Sequence, residues 1–239
     1  MRELYREGGA SPGAIASRVA SALDARTRAE MAGPGVAACL SSLLRGSRLV
    51  ADAGLDAIWQ SQPTAQGPPA LRLAQALRQD AEQRIAGRGL ASRPTDLALN
   101  ALGTSAMEAA AAGAPGVLGL DETAAATNFG AYARERRLGE LSLCFVSHDF
   151  DHLFRYFVSR DLADFIGTPA LPTVADGSRL RDAVALHCRE LARQMPVAAL
   201  TPLLEQAVAG DADETQEQLQ QVLQELTAEG LRQITAAGG

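Results

Sequence analysis

The residues best suited to chemistry are His148 and His152, in the run His148-Asp149-Phe150-Asp151-His152. Histidines at i and i+4 share one face of a helix, the spacing with which a zinc-binding helix presents two imidazoles. A metalloprotease helix carries Glu directly after the first histidine as general base. Here the shorter Asp149 stands in that place and does not reach the same water. His187 is a candidate third ligand, although nothing in the spacing brings it near. A phosphohydrolase of the His-Asp type needs a further histidine upstream, and all 3 histidines lie between positions 148 and 187. The pair therefore predicts a zinc site, and with Asp149 or Asp151 as further ligand or base it predicts a metal-dependent hydrolase. The competing expectation is two solvent-facing histidines near a helix start, with no cofactor.

The second candidate is Asp161. At about 100° per residue, Phe150, Leu153, Phe154, Phe157, Val158 and Phe165 form one wide apolar face, and Asp161 falls near its centre. A carboxylate there must be paired or neutralised. The expectation is a buried tie to an arginine of another helix. An alternative is that this face, with Phe154, Phe157, Arg160 and Asp161, meets another protein or a second copy.

Composition removes whole classes of chemistry. All 22 basic residues are arginine. A phosphate-binding P-loop, a lysine-dependent kinase and a Schiff-base enzyme each need the missing lysine. Gly33-Pro34-Gly35-Val36-Ala37-Ala38 is not preceded by a strand, and Gly87-Arg88-Gly89 reads as a helix stop, so neither supports a dinucleotide site. Gly103-Thr104-Ser105-Ala106-Met107 lacks the last glycine of a nucleophile elbow. Cys39, Cys144 and Cys188 are far apart and predict a reducing compartment rather than disulfides, with Cys188 read as a small buried hydrophobe. No complete catalytic constellation emerges, and no catalytic residue is assigned.

The elements that must position these residues are helical. Apolar spacing predicts helices over 12–31, 36–59 with a break at Gly46 or Gly54, 71–85 and 94–112. Residues 100–128 are rich in Ala, Gly and Thr, either a tightly packed helix or a connector. Asp176-Gly177-Ser178 can cap a helix carrying Leu180, Val184, Cys188, Leu191 and Met195. Thr201-Pro202 opens another, and Leu219, Val222, Leu223 and Leu226 face inward on the last, which Gly230 is expected to interrupt. Only 141–146 has a strand-like look, and it reads equally well as helix. The fold class is therefore all-α, an irregular multi-helix bundle open to division into two helical subdomains. The regions are an Arg/Ala-rich helical part (1–112), an Ala/Gly-rich connector (113–128) and an aromatic-containing helical part with an acidic terminal helix (129–239).

Charge follows the same division. Residues 1–93 hold 12 arginines against 8 acids, and residues 94–239 hold 10 against 20. Arginine-mediated nucleic-acid binding through the first half is an alternative function, disfavoured because only Tyr5 and Trp59 are interleaved there. No apolar run is long enough for a membrane span and no signal segment opens the chain, so a cytoplasmic protein is expected.

The segment Tyr156-Phe157-Val158-Ser159-Arg160-Asp161-Leu162, with Gly167 and the helix bearing Cys188, resembles uncharacterised helical bacterial proteins from phage-defence gene clusters. The resemblance spans about residues 150–190 and implies a component of a multi-protein antiviral defence system. The leading expectation is a non-enzymatic interaction or adaptor protein with protein partners or a homo-oligomeric state. Its docking surfaces would be the aromatic helix and the acidic last helix.

Overall fold

The computed structural model describes residues 11–62, 65–113, 120–168, 171–210 and 212–238, with the side chains of 163 and 212–215 left aside. The protein is all-α, and no strand occurs among the described residues. The helices are α1 (Pro12–Ala22), α2 (Ala25–Met31), α3 (Pro34–Ala53), α4 (Leu55–Ser61), α5 (Pro69–Arg88) and α6 (Arg93–Ala110). They continue as α7 (Glu122–Arg134), α8 (Leu138–Leu162), α9 (Val174–Arg193), α10 (Thr201–Ala209) and α11 (Ala212–Ala237).

Local chemistry sets most boundaries. Ser11 and Ser92 cap α1 and α6, each accepting from a backbone N–H three residues on. The helix expected over 12–31 is two, because Leu23 is extended and Asp24 caps α2 by accepting from Thr27 N–H at 2.7 Å. Gly54, at φ 76°, takes a conformation side chains resist and separates α3 from α4. Gly46 stays helical. The cap of α9 is Thr173, not Asp176, which instead completes a capping box from the third position. Gly230 does not break α11. A Cβ there would lie 2.8 Å from the Phe150 ring, so the glycine serves close approach rather than termination.

The region read as a connector, 113–128, is corrected in part. Asp121 caps α7 by accepting from Ala124 N–H at 2.7 Å, and helix follows from Glu122. Residues 114–119 lie outside the described residues. On the alanine-rich α6, Ala98, Ala101, Ser105, Ala106 and Ala109 are all buried. Their small side chains let α5 and α8 pack closely on it.

One continuous apolar cluster runs from Ile15 to Ile234, drawing on residues before 112 and after 129 alike. Its axis is α8, which packs chiefly on α9 and α6 and also touches α1, α3, α7 and α10. The inward residues of α11, Leu219, Val222, Leu223 and Leu226, are buried, and that helix packs on α1 and α3. No helix is long and apolar enough to cross a membrane among the described residues.

Candidate functional site

Packing on several sides changes what α8 presents. A helix with one solvent face separates apolar from polar residues, whereas a central helix buries both kinds. Phe150, Phe154 and Phe157 are buried, and so are His148, Asp149 and Asp151. The aromatic face expected to meet a partner is thus covered by the chain's own helices. Phe150 and Phe154 stack with ring centroids 6.0 Å apart.

Asp161 is not the buried carboxylate. The helix ends at Leu162 and passes into a short 3₁₀ turn, which places Asp161 at the rim with about a third of its side chain exposed. Its partner is the neighbouring Arg160, whose Nε donates at 3.3 Å, rather than an arginine of another helix. Arg160 itself is exposed, 5.9 Å from the Phe157 ring. The arginine tie expected at Asp161 occurs one face away. Arg155 donates to Asp151 at 2.7 Å and to Asp182 of α9 at 2.5 Å, joining the two helices.

Asp149 has no such arrangement. It is buried, its Oδ1 has no hydrogen-bond partner among the described residues, and burial pushes its carboxyl well above the usual carboxylate range. It lies close enough to Cys39 of α3 for its charge to oppose ionisation of that thiol, which burial already pushes up.

A cluster of potential metal ligands lies where α8 crosses α6. Cys144 and His148 are one turn apart on α8, and Glu108 reaches them from α6. A sulfur, an imidazole nitrogen and a carboxylate oxygen of these three lie within 4.8 Å of one another. His148 Nε2 is 2.7 Å from Glu108 Oε2. Arg193 of α9 donates to Glu108 Oε1 and approaches Ser147 Oγ at 3.5 Å. The hydrogen bond from His148, aided by the charges of Arg193 and Arg189, holds the Glu108 carboxyl down at about 2. Burial, reinforced by Glu108, pushes the Cys144 thiol up to about 11, while the hydroxyl of the fully buried Ser105 works against that rise. Glu108 is the most exposed member, with 45% of its side chain open to solvent.

Two chemistries suit a thiol, an imidazole and a carboxylate at this spacing. A Cys–His nucleophile needs a thiolate near neutral pH, which a pKa of about 11 denies. A transition metal removes that obstacle, because coordination itself deprotonates the thiol. Sulfur, imidazole and carboxylate are all zinc ligands.

Among the described residues, the candidate pair His148 and His152 is not gathered with a third ligand. His152 is half-buried, its Nε2 lacks a hydrogen-bond partner among the described residues, and burial lowers its pKa. His187 sits on α9 against α1, with Nε2 3.1 Å from where a Cβ on Gly13 would be. Sequence reasoning missed Glu108 and Cys144. The spacing of Cys144 and His148, also i and i+4, was the available signal, and the approach of Glu108 is a property of the helix crossing.

No known protein family, curated protein sequence or solved structure matches this chain.

Proposed function

We propose that this chain is a transition-metal-binding helical protein, with Glu108, Cys144 and His148 as ligands to a zinc-like ion between α6 and α8. The observation that carries this reading is the convergence of the three ligand atoms within 4.8 Å. In a tetrahedral zinc site sulfur and nitrogen ligands stand about 3.5 Å apart, from bond lengths of about 2.3 and 2.1 Å. Forming the site thus needs movements of roughly 1 Å, including parting Glu108 Oε2 from His148 Nε2, now 2.7 Å away, within reach of side-chain rotation at Glu108, the most exposed member. Glu108 would give Oε2 to the metal while Arg193 keeps Oε1, so the arginine orients the carboxylate. Arg193 and Arg189 oppose the incoming dication, and the thiolate and carboxylate offset them.

Three protein ligands leave a fourth position for water, the arrangement of catalytic rather than closed structural zinc sites. Metal-assisted hydrolysis is the reaction class that fits, through the ligands named here and not through the His148–His152 pair. The adaptor role loses the argument from the aromatic helix, since Phe154 and Phe157 belong to the core.

Titration with Co²⁺ tests the reading. A thiolate-to-cobalt charge-transfer absorption should grow to one equivalent, vanish in Cys144→Ser, weaken strongly in His148→Ala and persist in His152→Ala. No such absorption, or one unchanged in Cys144→Ser, would overturn the assignment.

A further inference from the structure

A second site lies away from the metal cluster, where α3, α4 and α5 meet. A cavity of about 280 Å³ opens there, with Arg45, Leu49, Ile58, Gln62, Leu77 and Arg84 among its lining residues. Its charges are not balanced internally. Asp80 is the acid on the wall, and both of its oxygens are engaged: Ser42 Oγ donates to it at 2.6 Å and Arg84 donates from Nε at 2.9 Å and from Nη2 at 3.2 Å. Arg84 is thereby neutralised. Arg45, which also lines the cavity, forms no ion pair among the described residues, and its buried Nη1 has no hydrogen-bond partner among them. A guanidinium nitrogen removed from water without an acceptor is costly, more so than a neutral donor.

We propose that this cavity binds a small organic carboxylate, its head on the Arg45 guanidinium and its short aliphatic body against Leu49, Ile58 and Leu77. Arginine presents paired donors in the plane a carboxylate needs. Gln62, on the same wall and largely buried, offers an amide N–H to the same head group. The volume sits at the low end for ligand pockets, which limits the guest to a handful of heavy atoms. The apolar lining favours a carboxylate with a hydrocarbon tail over a bare inorganic anion.

Isothermal titration calorimetry of the full chain with butyrate, formate and inorganic phosphate tests this. Butyrate should bind saturably with one site per chain, more tightly than formate or phosphate. Arg45→Met should weaken butyrate about tenfold or more, and Arg48→Met, at an exposed arginine outside the cavity, should leave it unchanged. Leu49→Asp is a second variant at an exposed position, so folding is retained, and its carboxylate should exclude butyrate. Absence of saturable butyrate binding, binding unchanged in Arg45→Met, or phosphate binding at least as tightly as butyrate would overturn the proposal.

Discussion

Replacing Asp149 by asparagine should stabilise the protein, by an amount that depends on pH. The folded chain holds the Asp149 proton well above the ordinary aspartate value of 3.8, because burial disfavours the charge and Oδ1 has no hydrogen-bond partner among the described residues. The unfolded chain releases that proton near 3.8. Below that pH both states are protonated and the side chain costs nothing through titration. Above it the unfolded state alone gains the free energy of ionisation, so native stability falls by about 1.4 kcal/mol per pH unit. The fall ends where the folded-state pKa is passed. The asparagine side chain is nearly isosteric and never ionises. The difference in unfolding free energy, Asp149→Asn minus wild type, should therefore be small at the acid end and widen from about pH 4.5 upward by about 1.4 kcal/mol per unit. The pH at which it levels off reads the folded pKa directly. Urea unfolding of both proteins, followed by far-UV circular dichroism at half-unit steps, measures this, and equal m-values would confirm a common unfolded state. Parallel stability curves would refute the reasoning. So would a variant that is less stable throughout, since that is the signature of a paired, ionised Asp149.

Two other substitutions probe the packing. Phe154→Ala removes a fully buried ring from the centre of the core and should cost about 3–5 kcal/mol in urea unfolding; a docking residue would instead leave stability intact and change association in analytical ultracentrifugation. Asp121→Ala removes the cap of α7 and should cost about 1 kcal/mol by the same unfolding measurement, whereas no change would mean that helix does not begin where the cap places it.

The helical class and many ends of helices were legible because they depend on neighbours in sequence. Ser11, Ser92 and Gly54 act within a few residues of themselves. The surroundings of α8 were not legible for a reason of a different kind. Reading a 100° face assumes one side in water, and α8 has core on several sides, so His148 and Asp149 are as buried as Phe157. Asp161 was misplaced because the helix ends one residue later, which no periodicity argument registers. Glu108 was hidden in a stretch whose alanines read equally as a tightly packed helix or a connector, and those small side chains are what let α6 come close to α8. His148 was the one cluster member whose type alone marked it.

The central claim is that Glu108, Cys144 and His148 form a metal site, and native mass spectrometry of the full chain with equimolar zinc tests it most directly. The account predicts one zinc per 25.0 kDa chain, retained in His152→Ala and lost in Cys144→Ser. A chain that takes up no zinc, or one that retains it equally in Cys144→Ser, would contradict it.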